Sequence, residues 1–197
     1  YDYVGNSVSA PTRNLTIDTT YPIFNMNDPL NQTYTSVRTS FDPSPSDTNI
    51  DTCWYSLDGG ATNTTMGCIK DTPLLNSGQG SSTWTAYAND SAGNENSSSV
   101  TFFVDSISPE VTINVPAASN YSSASFDFNV TLGENGSVMF SLDGGSTNYT
   151  MDSTDNQNFN YTNSSVADGT YSFQVYANDT LGNTNHTENV NFTIDTT

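Results

Sequence analysis

The stretch Gly169-Thr-Tyr-Ser-Phe-Gln-Val-Tyr-Ala-Asn-Asp-Thr-Leu-Gly-Asn183 decides the fold of this chain, because the sequence contains it more than once. An earlier copy, Ser82-Thr-Trp-Thr-Ala-Tyr-Ala-Asn-Asp-Ser-Ala-Gly-Asn94, keeps the same order of residue types, and Tyr1-Asp-Tyr-Val-Gly-Asn6 is a divergent third copy. Each copy is followed by a short alternating run that ends in aspartate. These runs are Leu15–Asp18, Phe102–Asp105 and Phe192–Asp195. Self-similarity of this kind predicts a tandem array.

A second repeated block fixes the domain boundaries. Tyr55-Ser-Leu-Asp-Gly-Gly60 matches Phe140-Ser-Leu-Asp-Gly-Gly145, and the final aspartates of the alternating runs lie 87 and 90 positions apart. This period exceeds the roughly 20–50 residues of a solenoid unit and suits a small sandwich domain of about 100 residues. The sequence predicts one domain over residues 20–107 and a second over residues 108–197. Residues 1–19 are either the terminal strand of a preceding repeat or a strand donated to a neighbouring subunit.

Apolar residues alternate with polar ones throughout, which is typical of half-buried strands. Along Phe126–Leu132 the polar residues Asp127 and Asn129 are predicted to point outward, and the apolar residues are predicted to point inward. Alternation also places Leu57 inward and Ser56 outward. The stretch Asp42–Asp47, rich in proline and serine, predicts a surface loop. No helical period is present, so the chain is predicted to be all-β, with each repeat forming a β-sandwich.

The charge excludes several classes of function. The chain has 21 acidic and three basic residues, Arg13, Arg38 and Lys70, and a formal net charge of −18. Such a chain offers no basic patch for nucleic acid and no attraction to an anionic membrane surface. No segment is long and apolar enough to insert into a membrane.

Two features favour an extracellular location. The first is a set of 14 Asn-X-Ser/Thr sequons, about twice the number that a random order of this composition gives. They predict covalent N-glycans at Asn14, Asn31, Asn63, Asn89, Asn96, Asn120, Asn129, Asn135, Asn148, Asn160, Asn163, Asn178, Asn185 and Asn191. The second is the pair Cys53 and Cys68, which we expect to form a disulfide; the other interpretation is two free thiols in a reducing compartment.

The pairing of Tyr-Ser-Leu-Asp-Gly-Gly with Val-Tyr-Ala-Asn-Asp-x-x-Gly-Asn, followed by an alternating strand and Asp-x-x-x-Pro, resembles the immunoglobulin-like repeats of prokaryotic, especially archaeal, cell-surface proteins. The resemblance covers both complete repeats and the opening tail. It implies tandem immunoglobulin-like (Ig-like) β-sandwiches and a glycosylated component of a stalk, surface layer, adhesin or filament.

Aspartates cluster at the turns, and two interpretations stay open. Calcium at the domain junctions would use several carboxylate oxygens, with Asp105, Glu110 and Asp179 as the first candidates. The alternative is that these aspartates only cap turns through their own side chains. No cofactor other than this calcium is expected.

Catalysis has little support in the sequence, and no catalytic residue is predicted. His186 is the single histidine, and the duplicated domain has no unique polar cluster that would place a nucleophile beside a base. We therefore expect a protein that is not an enzyme.

Outward aromatic residues could form a sugar-binding surface or an interface between copies of the chain, or could reflect β propensity alone. The candidates are Trp54, Tyr87 and Tyr176, with Phe103, Tyr149 and Tyr161 also predicted to be exposed. The expected function is a structural one: a segment of an extracellular glycoprotein in a filament, surface layer or stalk, with copies of itself as partners. The alternative function is an adhesin or carbohydrate-binding module.

Overall fold

The computed structural model describes residues 15–69 and 75–197, and strands and turns account for all of the regular structure in these ranges. The sequon at Asn14 lies outside them. Within the described ranges no helix has the length and hydropathy that crossing a bilayer requires. The chain divides into two compact units. The first unit contains residues 15–33 and 38–103 of the described chain, and the second contains residues 34–37 and 104–197.

The first seven strands form a five-stranded sheet and a two-stranded sheet. They are β1 (Ile23–Phe24), β2 (Thr33–Tyr34), β3 (Pro45–Ser46), β4 (Ile50–Ser56), β5 (Thr64–Met66), β6 (Gly80–Asp90) and β7 (Glu95–Val104). The larger sheet has the order β2-β7-β6-β4-β5, and β1 pairs with β3 in antiparallel fashion.

The remaining ten strands form two sheets of the second unit. They are β8 (Val111–Val115), β9 (Asn120–Tyr121), β10 (Phe126–Leu132), β11 (Gly136–Ser141), β12 (Tyr149–Thr150), β13 (Asp152–Ser153), β14 (Asn158–Asn163), β15 (Gly169–Asp179), β16 (Thr184–Asn185) and β17 (Asn189–Ile194). One sheet has the order β13-β14-β10-β8, and the other has the order β12-β11-β15-β17-β9, with β16 beside β15. In order of appearance, these are the A-B-E-D and C-F-G sheets of an immunoglobulin-type sandwich.

The two copies of the repeated stretch become equivalent strands. β6 and β15 are eleven residues long and have the same alternation of burial. Phe173, Val175 and Ala177 are buried, as predicted, and so are Trp84, Ala86 and Ala88 of the earlier copy. Period-2 alternation produces this result because successive side chains of a strand point to opposite faces of the sheet.

The core of the second unit lies between its two sheets. Phe128 is fully buried and stacks on Phe140 and Phe173, with ring centroids 5.0 Å apart in each case. Phe192 and Ile194 are 2% and 1% exposed. The predicted all-β sandwich is therefore confirmed.

Three local predictions were wrong. The stretch Asp42–Asp47 is not simply a surface loop, since it contains β3 and a buried Pro43. It runs beside the first strand of the unit, where Asn27 N–H donates to Asp42 O at 2.9 Å. Leu57 is 37% exposed, and Ser56 is buried. Tyr149 and Tyr161, which were expected on the exposed surface, are half-buried and pack against the core of the second unit.

The units differ most in their second sheet. The second unit has four strands there, whereas the described residues of the first unit form β1 and β3, two residues each. The disulfide between Cys53 and Cys68 lies in this simpler unit, with the Cα atoms 5.3 Å apart. Cys53 pairs with Ala88 as Val138 pairs with Ala177, so the register equates Cys53 with Val138.

Candidate functional site

The stretch that identifies the repeat ends in a turn that its aspartate organises. Asp179 Oδ1 accepts hydrogen bonds from the backbone N–H groups of Leu181 and Asn183, both at 2.8 Å. Asn183 Nδ2 donates to the other carboxylate oxygen at 2.6 Å. Gly182 has a φ of +90°, a conformation that glycine adopts without strain. The first unit repeats these bonds at Asp90, Ala92, Gly93 and Asn94.

The same turn holds the segment by which the chain enters each unit. We call residues 18–22 and 105–109 the entry segments. In the second unit Asn183 Nδ2 donates to Asp105 O at 3.2 Å, and Asn185 Nδ2 donates to Pro109 O at 3.0 Å. The first unit has the same two bonds: Asn94 Nδ2 to Asp18 O at 3.1 Å and Asn96 Nδ2 to Pro22 O at 2.8 Å. We call this pair of asparagines the entry clamp.

In each unit a cluster of carboxylates includes one residue of the entry segment and the aspartate of the turn. Carboxylate oxygens of Asp105, Glu134 and Asp179 lie within 4.8 Å of one another in the second unit. Glu110, which the sequence suggested, is not a member of this cluster, and Glu134 takes its place. The backbone carbonyl of Glu110 instead accepts a hydrogen bond from Gly133 N–H at 2.9 Å. The first unit has a matching cluster of Asp18, Asp47 and Asp90.

The electrostatics of these clusters reflect crowding of negative charge. Burial raises the pKa of Glu134, and the nearby Asp105 and Asp179 raise it further. Burial also acts to raise the pKa of Asp179, but the hydrogen bonds from Asn183, Leu181 and Gly182 outweigh it, so that the pKa is lowered. In the first unit the side chain of Asn94 lowers the pKa of Asp90.

The clusters could hold a hard cation, since calcium takes about six to eight oxygen ligands and prefers carboxylates. The hydrogen bonds that Asp90 and Asp179 accept within their turns are a sufficient reason for an aspartate at each position, with or without a metal ion. Calcium binding therefore stays a prediction, with Glu134 replacing Glu110 in the ligand set.

The Asp-Gly-Gly block forms a second repeated turn, and here sequence reasoning missed a residue. Ser141, at the end of β11, is fully buried. Its Oγ donates to Asp143 Oδ1 at 2.7 Å and accepts from Gly145 N–H at 2.8 Å. Ser56 makes the matching bonds to Asp58 and Gly60. The recurrence of serine two residues before both aspartates was the signal available in the sequence.

Trp54, Tyr87 and Tyr176 lie on the five-stranded sheet of the first unit and on the β12-β11-β15-β17-β9 sheet of the second unit. Trp54 and Tyr87 are directly opposite each other on β4 and β6, and their rings stack with a centroid distance of 5.5 Å and an interplanar angle of 2°. Tyr176 occupies the position in β15 that Tyr87 occupies in β6. The ring centroids of Tyr176 and His186 are 5.2 Å apart. All three candidate aromatics are partly exposed. Cross-strand pairing explains the stack.

None of the thirteen sequon asparagines within the described ranges is buried. Asn129 and Asn191, whose burial would contradict the scheme, are half-buried and exposed, respectively. Three of the sequons have an amide nitrogen that donates a hydrogen bond. Asn96 and Asn185 do so in the entry clamps, and Asn129 Nδ2 donates to Asn160 Oδ1 at 2.5 Å.

Comparison with known proteins agrees with the topology. Residues 117–196 match the family model described as Bacterial Ig-like domain. No curated protein sequence matches the chain. The fibronectin(III)-like modules of Clostridium thermocellum CbhA are similar in structure, with 16% identity over 88% of this chain and 94% of theirs and a TM-score of 0.39.

Two structures of consecutive immunoglobulin domains have higher TM-scores. The N-terminal eight Ig domains of Down Syndrome Cell Adhesion Molecule give a TM-score of 0.54, with 13% identity over 89% of this chain and 24% of theirs. Immunoglobulin domains 1–4 of Sidekick-1 give a TM-score of 0.52, with 11% identity over 88% of this chain and 48% of theirs. Together with the family model, these likenesses show an Ig-like fold. It is a non-catalytic domain type, typical of extracellular and cell-surface proteins.

Proposed function

We propose that this chain is a segment of an extracellular structural glycoprotein, built from repeated Ig-like domains and forming part of a surface filament, surface layer or stalk. The observation that carries the proposal is the entry clamp, which occurs in both units with the same residue types and the same backbone acceptors. A binding site that serves one ligand has no need to be duplicated in this way. In a mechanical array, every module needs contacts that fix the path by which the chain enters it.

The physical effect of the clamp is to restrict rotation of the entry segment. Each clamp ties the carbonyl oxygens of an aspartate and a proline to the turn of its own unit, and the proline has a fixed φ. Two neutral hydrogen bonds stabilise this arrangement by roughly 1–3 kcal/mol in total. In an array, the same restriction repeated in each module limits bending. We infer that the natural partners are copies of the same chain.

A substitution in recombinant, unglycosylated chain tests the clamp. Asn185→Ala removes the bond to Pro109 O, and we expect faster hydrogen exchange in residues 105–109 and about 1 kcal/mol lower stability of the second unit. Asn191→Ala is the matched control, because Asn191 is also a sequon residue but lies outside the clamp. Equal exchange in the two variants would contradict the mechanical role of the clamp.

The proposed glycans form the second part of the function. Glycans on the sequons and a net charge of −18 would keep the surface hydrated and would hinder proteases. Site-resolved mass spectrometry of glycopeptides from the natural protein tests this. We expect occupied sequons, with lower occupancy at Asn96, Asn129 and Asn185, because their amide nitrogens are engaged in hydrogen bonds. An unmodified polypeptide would refute the glycoprotein assignment.

The stacked pair of Trp54 and Tyr87 favours a second candidate function, an adhesin or carbohydrate-binding module. Sugars can pack against aromatic rings, and the rings of Trp54 and Tyr87 are both partly exposed. A glycan array with calcium present distinguishes the two functions. Saturable binding that Trp54→Ala abolishes, and that Tyr176→Ala in the other unit leaves intact, would favour the binding module.

A further inference from the structure

Asn135 is followed by glycine, and the sequence contains no other Asn-Gly pair. This pair is chemically labile, because glycine has no side chain to hinder attack of its backbone nitrogen on the preceding side-chain amide. Asn135 is exposed and lies in the turn between β10 and β11, and Gly136 is the first residue of β11. The turn is therefore a candidate for a covalent modification other than glycosylation.

Strand pairing requires the glycine of this pair. Gly136 lies opposite Asp179 on β15, and an added Cβ would overlap Asn178 O of the same strand. In the first unit Ile50 lies at the matching place opposite Asp90, and there the strand register shifts beside it. The second unit keeps a regular register at this point, and the consequence is a glycine directly after Asn135.

The loop that joins β13 and β14 binds both of the groups that would react. We call this loop, residues 154–157, the covering loop. The backbone N–H of Gly136 donates to Asn156 O at 2.8 Å. Gln157 Nε2 donates to Asn135 Oδ1 at 3.0 Å. While these bonds are made, the nitrogen of Gly136 keeps its proton, and the side-chain amide of Asn135 is held in place.

Asp155 organises the covering loop. Its Oδ1 accepts hydrogen bonds from the backbone N–H groups of Gln157 and Asn158 at 3.0 Å and 2.7 Å. Asn158 Nδ2 donates to the other carboxylate oxygen at 2.8 Å. Gln157 O in turn accepts from Leu132 N–H at 2.8 Å, which fixes the loop to the end of β10. Asp155 is therefore a positioning residue, since it shapes the loop and the loop binds the Asn-Gly pair.

We propose that Asn135 is a site of spontaneous deamidation and that opening of the covering loop controls its rate. When the loop opens, the nitrogen of Gly136 loses its proton to a base from solvent and bonds to Cγ of Asn135. The bond from Cγ to Nδ2 breaks, and Nδ2 leaves as ammonia after taking a proton from water. Water then opens the succinimide ring at one of its two carbonyl groups, which gives aspartate or isoaspartate at position 135.

Either product changes this end of the second unit. It adds a negative charge beside Glu134, which already lies in a cluster with Asp105 and Asp179. It also removes the sequon at Asn135, so that a modified chain can no longer carry a glycan there. Isoaspartate inserts one further backbone carbon directly before Gly136, and we expect it to weaken the pairing of that residue with β15.

Incubation of recombinant, unglycosylated chain at mildly alkaline pH tests the proposal, with peptide mass spectrometry to locate each amide that becomes a carboxylate. We expect Asn135 to deamidate at least about tenfold more slowly in the folded chain than in guanidinium chloride, because the folded chain reacts only while the loop is open. An Asn135 that stays unmodified in the unfolded chain would overturn the assignment of the site. Equal rates in the folded and unfolded chains would overturn the control by the loop.

A pair of variants tests the covering loop itself. Asp155→Ala should raise the rate at Asn135 in the folded chain about tenfold, and hydrogen exchange of the Gly136 amide should rise with it, because both reactions need that amide to lose its proton. Asp143→Ala is the matched control, since Asp143 accepts a hydrogen bond from Thr147 N–H at 2.8 Å in another turn of the same unit. Equal rates in the two variants would contradict the proposal.

Gln157→Ala keeps the proposal testable if Asp155→Ala unfolds the second unit. This substitution removes the bond to Asn135 Oδ1 and keeps the backbone bonds of the covering loop. We expect the rate at Asn135 to rise about threefold, which corresponds to the loss of one neutral hydrogen bond. An unchanged rate would show that the covering loop does not hold the side chain of Asn135 in check.

Discussion

Gly145 has the least room for a side chain in the Asp-Gly-Gly turn of the second unit. Its φ is +93°, and an added Cβ would lie 2.9 Å from the Tyr176 hydroxyl oxygen. Gly144 has a φ of +73° but faces open space. Tyr176 of β15 thus lies over the turn. In the first unit Tyr87 lies over Gly60, where an added Cβ would be 3.3 Å from the tyrosine hydroxyl oxygen.

This difference predicts unequal effects for two matched substitutions. Gly144→Ala should lower the free energy of unfolding of the second unit by about 1–2 kcal/mol, the cost of a left-handed alanine. Gly145→Ala should cost more, because the new methyl group also displaces the tyrosine hydroxyl. Adding Tyr176→Phe should recover the extra loss in chemical denaturation, and a failure to recover it would show that the contact with the hydroxyl is not its cause.

The aspartates of the same turns predict a pH dependence. The backbone N–H of Thr147 and the hydroxyl of Ser141 lower the pKa of Asp143 from 3.8 to about 2, and Thr62 and Ser56 do the same for Asp58. Because the folded pKa lies below the unfolded one, the ionised carboxylates stabilise the fold above about pH 4, and this stability is lost as the pH falls toward 2. Thermal melts should show this fall. Asp143→Asn should melt lower at neutral pH and lose less on acidification; an unchanged acid profile would contradict the assignment.

At the scale of elements, the two units differ in the second sheet that closes the core. The second unit closes its core with a four-stranded sheet, and the first has two short strands in that place together with a disulfide. Cys68 aligns with Ser153, where the second unit begins to cross to its four-stranded sheet. The crosslink therefore lies where regular strand pairing is reduced.

Replacing both cysteines by the residues of the second unit, Cys53→Val with Cys68→Ser, should destabilise the first unit by about 3 kcal/mol, the value expected for a loop of this size. The second unit serves as the internal control. Hydrogen exchange in β4–β6 should accelerate, and exchange in β10, β14 and β15 should not change. Equal protection in the substituted and natural chains would show that the disulfide does not stabilise the first unit.

At the scale of the whole molecule, net charge opposes folding. The chain has 21 acidic and three basic residues and a net charge of −18, and one of the basic residues, Arg38, pairs with Asp28 at 2.5 Å. Raising sodium chloride from about 10 mM to about 500 mM should therefore raise the melting temperature, because salt screens the repulsion. Calcium at the same ionic strength tests the carboxylate clusters. A larger rise with calcium that Asp179→Asn removes would establish binding, and equal rises would leave only screening.

The local features of the fold could be predicted from the sequence because they depend on neighbouring residues. Alternation along β10 and β15 predicted which side chains are buried. The prediction from composition was wrong at Asp42–Asp47, where prolines and serines indicated a surface loop. A short strand forms there because the backbone of residues 23–28 supplies a partner.

The sequence by itself therefore determined the repeat, the all-β class, the inward faces of the long strands and the cysteine pair. Only the tertiary structure decided which distant side chains meet. Glu134, rather than Glu110, joins Asp105 and Asp179, and the asparagines of one turn bind the carbonyl groups of the entry segment. The physical reason is that alternation is set by the two-residue period of a single strand, whereas these contacts depend on strand register and on loops that bring remote parts of the chain together.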